Sequence, residues 1–563
     1  MLPHKARFGL AILLIVATSN LRLPYLLADQ PAGYCAPILA APSSGAAAIA
    51  ELGSNLAQAA QINSMTNGEL SALLLSVPMF YLDKCGHGFY AEDMMAPQSG
   101  ELPYSISPLQ ADLPNKITGT LTTLPITNAS VFSLHSNQGS KRTIYLDFNG
   151  EFIDGTSWNK NFNNGVAWNA LGFSQDTDYA KFSNSELAVI QSVWQRVAED
   201  FSAFDVDVTT EEPAVGVLER TDAKDETYGT RALISADPII FKACKCSGLA
   251  YVGAFDFIGT LQKLNQPAWI FTLGVGDNPK YIAESVTHEV GHTLGLSHDG
   301  STSTSYYAGG DGWAPIMGVG FYQPLTQWSK GQYVGANNLE DDYQVMSDHG
   351  LKLKPDEDEN TDASGRILLD PISAGGIISS PTDIDYFQFT PTVTGDYAIS
   401  VDGASYSPNL DLRLSIYPIK KPSERTVVNP PISVESADVA SGLSAAITKK
   451  LTQGITYIFS VDGVGLISVN DVSFSNYGSV GTYKITLEKS GTSVTVTKKS
   501  SSSTTVTKTG TSSGSVNSTS TASLTLPDKL VLPTKTSGNA QAMILPNFEA
   551  KWVKVAHRYL PLD

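Results

Sequence analysis

Tyr281-Ile-Ala-Glu-Ser-Val-Thr-His-Glu-Val-Gly-His-Thr-Leu-Gly-Leu-Ser-His-Asp299 is the stretch that decides the reading of this chain. His288 and His292 stand four positions apart, so on a helix their rings leave the same face one turn apart. Two imidazoles so placed can meet one zinc ion at about 2.0–2.1 Å. Ile282, Val286, Val290 and Leu294 supply apolar cover that would fix this helix in a core. Gly295 follows, where a helix can stop by turning left-handed, a region glycine enters without strain. The reversed chain can then return His298 as a third ligand. Three protein nitrogens leave the fourth tetrahedral position to water, as in a catalytic zinc site. A closed site would need a fourth protein ligand, and none lies nearby at the usual spacing. With 8 His and 47 Gly in 563 residues, this five-position pattern arises by accident on the order of once in 10⁵ such chains.

Glu289, beside the first ligand, has the reach to contact that water. Zinc lowers the pKa of a bound water to about 7, so Glu289 can take its proton and later hand it to a departing amine. The expected chemistry is peptide-bond hydrolysis without a covalent intermediate, with protein or peptide substrates.

The run His288–His298 resembles the extended zinc signature of the metzincin metallopeptidases, and Asp299 directly after the third histidine is most similar to the adamalysin (reprolysin) branch. Trp313-Ala-Pro-Ile-Met-Gly318 is similar to that family's Met-turn, which implies that Met317 packs beneath the zinc without ligating it. Some branches carry a Tyr two residues after this Met; here that residue is Val319, and Tyr322 is the outside candidate for an oxyanion helper. Ile144–Gly150 and Trp194–Val208 resemble segments of secreted microbial members of the clan. The resemblance implies an α+β zincin-type catalytic domain over 140–350, its mixed sheet lying above the active-site helix. It also implies that substrate docks as an added strand, with Val319-Gly-Phe-Tyr322 as a wall of the specificity pocket.

Within that domain, Thr143–Phe148, Phe204–Val208 and Pro267–Leu273 read as strands. Leu187, Ile190, Trp194, Val197 and Phe201 form the buried stripe of a helix. Glu199 and Asp200 are expected to face solvent from that helix. Asp205 and Asp207 invite a Ca²⁺ reading beside the commoner one of turn and strand-edge acids.

Beyond the acidic linker Lys354–Thr361, short alternating segments (Tyr386–Phe389, Tyr397–Val401, Leu412–Tyr417, Tyr457–Val461, Tyr483–Leu487) predict an all-β sandwich over 362–490. Asp385-Tyr-Phe387, Asn409-Leu-Asp411 and Tyr477–Tyr483 resemble the bacterial pre-peptidase C-terminal domain, which implies an accessory module without chemistry of its own. Residues 491–525 are almost wholly Ser, Thr, Gly, Lys and Val and read as a flexible linker; 526–563 is a tail without an assigned role. Gly510-Thr-Ser-Ser-Gly514 fits a hydrolase elbow pattern but has no strand before it and no helix after it, so it is set aside.

On the other side, Lys5 and Arg7 precede the apolar run Phe8–Ala17, the form of a secretory signal, placed at 1–28. The rest of the sequence has no apolar run of ~18 residues, so no stable membrane insertion is expected. Residues 29–135 read as a prodomain. Its Cys85 admits two readings: a thiolate that blocks the zinc as fourth ligand, or a disulfide partner of Cys35. Cys244 and Cys246 are so close that a mutual bridge would be strained. Asn128-Ala-Ser130 and Asn517-Ser-Thr519 are glycosylation acceptors on a eukaryotic secretory route. With 55 acids against 37 bases the formal charge is -18, which disfavours nucleic-acid partners. The chain thus reads as a secreted zinc metalloendopeptidase zymogen. The competing reading is a non-catalytic surface or matrix protein that binds through a zincin-like domain and a sandwich.

Overall fold

The computed structural model describes residues 35–93, 127–356, 366–367, 372–419, 432–435, 442–466 and 474–490. The leader, the Ser/Thr-rich linker with Gly510–Gly514 and Asn517, the C-terminal tail and most of the acidic linker lie outside the described residues.

The N-terminal segment builds a small unit of its own from β1 (Ser43–Ser44), α1 (Gly45–Leu52), α2 (Leu56–Ile62), α3 (Asn67–Ser76), β2 (Phe80–Leu82) and β3 (Gly88–Ala91). Thr66 starts α3 with a capping box, its side chain accepting from Glu69 N–H while the Glu69 carboxylate accepts from Thr66 N–H. Leu39, Ala48, Leu52, Leu70, Leu74, Phe80 and Leu82 bury together as its core. A disulfide joins Cys35 to Cys85, so of the two readings of Cys85 the structure takes the disulfide.

The central domain contains α4 (Asn128–Val131), β4 (Arg142–Asp147), β5 (Phe152–Ile153), α5 (Ser157–Phe162), β6 (Trp168–Asn169), α6 (Asn184–Asp200), β7 (Asp207–Thr209) and β8 (Tyr228–Ser235). It continues through α7 (Pro238–Cys244), β9 (Gly248–Tyr251), α8 (Thr260–Leu264), β10 (Ala268–Phe271), α9 (Thr272–Val275) and α10 (Pro279–Thr293), then β11 (Trp313–Pro315), β12 (Leu325–Gln327) and α11 (Asp342–Asp348). Its main sheet has the order β1-β2-β3-β9-β10-β8-β4-β7. Strands β10, β8, β4 and β7 are parallel, β9 is antiparallel to β10, and β3 is antiparallel to β9. The N-terminal unit therefore extends the mixed sheet at its β9 edge.

Beneath the sheet, α6 and α10 share one core. Leu187, Ile190, Val193 and Val197 of α6 pack with Ile282, Val286 and Val290 of α10. Fully burying such a side chain contributes about 1.5–3 kcal/mol, so packing rather than helix propensity holds both helices. Trp194, in the same stripe, is only partly buried and donates its indole N–H to Val208 O at 2.8 Å.

Three expectations for this domain need correction or refinement. Glu199 and Asp200 do not face solvent: they are 5% and 4% exposed, because the face of α6 that carries them meets the following domain. Cys244 and Cys246 are bridged, with Cα atoms 5.1 Å apart, inside the ordinary range; Lys245 between them turns left-handed (φ 52). Asp207 opens β7 at the edge of the main sheet, and Asp205 lies just before it. Asp207 accepts from the N–H groups of Ser136 and Asn137 and pairs with His135, while Asp205 accepts from the Asn137 side chain.

Two further sheets form a sandwich. One has the order β13-β15-β20-β17-β18, from β13 (Arg366–Ile367), β15 (Ile384–Phe389), β17 (Leu412–Ile419), β18 (Ile432–Glu435) and β20 (Thr456–Gly463). The other is β14-β21-β16-β19, from β14 (Ile372–Ile378), β16 (Gly395–Gly403), β19 (Ala445–Leu451) and β21 (Gly481–Lys489). Phe387, Ile399, Val401, Leu414, Phe459 and Ile485 meet between them. The five alternating segments of the sequence fall in β15, β16, β17, β20 and β21.

Candidate metal centre

Helix α10 opens at Asn278, whose side chain accepts from Lys280 N–H, with Pro279 at the first helical position. From Ile282 to Thr293 every residue is buried, so the rings of His288 and His292 are held by packing on all sides. Leu294 ends the helix and Gly295 follows with φ +91, the left-handed stop the sequence suggests. Beyond it the chain returns His298 to the same point.

Each of the first two rings is oriented by a backbone carbonyl. His288 Nδ1 lies 3.0 Å from Ile316 O, and His292 Nδ1 lies 2.8 Å from Leu296 O. A carbonyl only accepts, so both Nδ1 atoms carry the proton and both Nε2 lone pairs point inward. His292 Nε2 and His298 Nε2 are 3.1 Å apart; two nitrogens bound tetrahedrally to one zinc are separated by about 3.3 Å. Burial pushes the His288 imidazole down to about 3 and lowers His292 as well, favouring the neutral form that a metal requires.

The turn Pro315–Gly318, closed by Gly318 N–H to Pro315 O at 3.0 Å, braces this group. Ile316 supplies the carbonyl for His288, and Met317 O accepts from Asp299 N–H at 2.8 Å. Met317 is fully buried under α10: a Cβ at Gly291 would stand 2.5 Å from its sulfur. A side chain at Gly291, between the two ligands of the helix, would press on the Met317 thioether.

Glu289 is fully buried, and neither of its carboxylate oxygens has a hydrogen-bond partner among the described residues. Burial, then the charge of Glu92, pushes its carboxyl well above the usual range. Strand β9 passes so close that a Cβ on Gly248 would lie 2.0 Å from Glu289 Oε1.

Tyr322 is away from this cluster, packed on Tyr281 and Phe321. The tyrosine that reaches it is Tyr306, whose ring centroid is 4.5 Å from that of His298. Its hydroxyl donates to Glu92 Oε2. Glu92 belongs to the N-terminal unit, where the sequence singles out Cys85 alone, and its Oε1 lies 3.2 Å from His292 Nε2 and 2.9 Å from His298 Nε2. Glu92, His288, His292 and His298 together bring four ligand atoms within 4.8 Å of one another, all buried. A fourth protein group is therefore present after all, about two hundred residues upstream. Neither Glu92 nor Tyr306 stands at a spacing that ties it to the histidines, so sequence pattern alone carries no signal for them.

No protein-family model matches the chain, and no curated protein matches it. Among solved structures, it is similar to the pre-peptidase C-terminal domain of collagenase from Bacillus anthracis, at 12% identity over 24% of this chain and 98% of that one, with a TM-score of 0.15. It is also similar to CorA, a surface-associated copper-binding protein of Methylomicrobium album BG8, at 9% identity over 22% of this chain and 98% of that one (TM-score 0.17). A third is PliG of Salmonella Typhimurium, a periplasmic inhibitor of g-type lysozyme, at 12% identity over 21% and 86% (TM-score 0.13). Among the described residues, no helix is long and apolar enough to cross a membrane.

Proposed function

We propose that this chain is a secreted zinc metalloendopeptidase of metzincin type, described in its unprocessed form. The observation that carries the reading is the convergence of three inward-facing imidazoles beside a buried Glu289 that has no hydrogen-bond partner among the described residues. His288 Nε2 has no hydrogen-bond partner among the described residues, and lone pairs aimed at one point inside a protein call for a cation between them. The donor set suits zinc, with His288, His292 and His298 as its ligands. When bound, zinc would acidify water and polarise a peptide carbonyl.

The remaining roles belong to the chain's own groups. Glu289 accepts a proton from the attacking water and returns it to the leaving amine nitrogen. The Tyr306 hydroxyl, which here donates to Glu92, would serve a substrate carbonyl oxygen as a donor once Glu92 has left. With β3 gone from its side, β9 would offer main-chain groups to an extended peptide. Met317 and the Ile316 carbonyl hold the ligands in place from below.

Glu92 favours a second reading. Three histidines and a carboxylate can close a structural metal site in a non-catalytic binding protein. The two readings separate on the processed protein. For the peptidase, casein clearing by chain freed of residues 35–93 is abolished by a chelator, and Glu289→Ala keeps the metal while losing turnover by several orders of magnitude. Unaltered clearing by Glu289→Ala removes Glu289 from its role; no clearing by the freed wild-type chain favours the closed site.

A further inference from the structure

We infer that Glu92 is a fourth ligand of the metal held by His288, His292 and His298, and that its strand keeps the enzyme latent by filling the edge where substrate would pair. The inference rests on the peptidase reading and adds the regulation of the same site.

Strand alternation sets the geometry. Tyr90 and Glu92 share one face of β3 and its continuation, while Phe89 points the other way into the aromatic group of Tyr81, Trp158 and Tyr251. On the inner face, Tyr90 lies 4.2 Å from His292 and 4.3 Å from His298 between ring centroids. Glu92 comes next, itself fully buried. Its backbone is fixed on both sides: its N–H donates to Gly248 O at 3.0 Å and its carbonyl accepts from Ser247 N–H at 2.7 Å. The residue that reaches the histidines is therefore also paired with β9, as an incoming peptide would be.

The carboxylate then spans the centre. Oε1 faces His292 and His298, and Oε2 lies 3.7 Å from His288 and accepts from Tyr306. The Nε2 lone pairs of His288 and His292, whose Nδ1 atoms face carbonyls, repel this buried carboxylate unless a cation lies among them. Cys85 is excluded from this place because its sulfur is bonded to Cys35. That disulfide and the small apolar core around Leu52, Leu70 and Phe80 anchor β3 from behind. One departure, that of β3 with Glu92, frees the fourth coordination position, the β9 edge and the Tyr306 hydroxyl together.

The test uses cobalt(II) in the full-length chain, in a Glu289→Ala background that prevents self-cleavage, with acetohydroxamate as the probe for an open position. Glu92→Ala should alter the visible cobalt spectrum and lower the acetohydroxamate concentration needed to perturb it by about 100-fold, since a tethered carboxylate no longer competes. Glu92→Gln, which keeps the shape of the side chain, should move both readouts the same way and guards against misfolding of the alanine variant. Stoichiometric cobalt with unchanged spectrum and probe response in both variants overturns the plug and leaves the peptidase reading standing. Failure of the parent chain to take up cobalt overturns both.

Discussion

Glu199 on α6 accepts two hydrogen bonds from a single residue of the sandwich, from Thr482 N–H at 2.9 Å and from the Thr482 hydroxyl at 2.6 Å. Next to it, Asp200 accepts from Asn409 of the sandwich and from Thr287 of α10. The helix that supports the histidines is thus linked through a buried acid to the sandwich.

This contact should respond to pH. Burial pushes the Glu199 carboxyl up to about 7, against about 4.3 in an unfolded chain. Between those values the folded state holds the extra proton. The contribution is therefore complete below about pH 4 and is lost as pH rises through about 7, where each tenfold difference in proton affinity between the folded and unfolded chain corresponds to roughly 1.4 kcal/mol. Thermal unfolding of wild type and Glu199→Gln at pH 5 and pH 8 checks this. The wild type should lose more stability than the variant across that interval; equal losses would show that Glu199 does not titrate there.

Replacing Gly291 by Ala places a methyl group 2.5 Å from the Met317 sulfur. Overpacking of this kind costs about 1–3 kcal/mol. The variant should unfold at lower denaturant concentration, and Gly291→Ala combined with Met317→Ala should recover part of the loss. Strictly additive losses would mean that the two residues do not press on each other.

Tyr306→Phe keeps the ring beside His298 and removes only the hydroxyl. Under the peptidase reading, processed Tyr306→Phe should bind metal as wild type does, with kcat lower by about 10²-fold or more and KM little changed. A raised KM with unchanged kcat would assign Tyr306 to substrate binding instead. Tyr322→Phe serves as a comparison and should be near wild type.

Cys85→Ser removes a bridge between residues 50 positions apart, worth about 2–4 kcal/mol to the N-terminal unit. Unprocessed Cys85→Ser should remain latent while its residues 35–93 become easier to digest with trypsin. Digestion no faster than in wild type would show that the bridge does not hold this unit together.

What is legible in the sequence follows from the range of each interaction. The α10 helix, its stop at Gly295 and the convergence of His288, His292 and His298 depend on contacts within eleven residues, and periodicity with one glycine describes them. Five strands of the sandwich are visible because alternation is local; β13 and β18 are too short to stand out, and the Gly pair of β14 and the Lys pair of β19 interrupt their patterns. Burial of Glu199 and Asp200 depends on Thr482 and Asn409 in another domain, which no helical pattern reports. Glu92 looks like an ordinary acid after a short strand until the pairing of β3 with β9 brings it to the histidines. The bridge between Cys244 and Cys246 escapes a reading by spacing because sequence separation does not reveal that Lys245 turns left-handed.

Metal content is the most direct test of the central claim. The full-length chain, purified without a metal-binding tag and analysed by plasma mass spectrometry, should carry one zinc per chain, and His292→Ala, if folded by circular dichroism, should carry essentially none. A folded wild-type chain that retains no zinc after incubation with the ion, or a His292→Ala chain that holds as much as wild type, would contradict it.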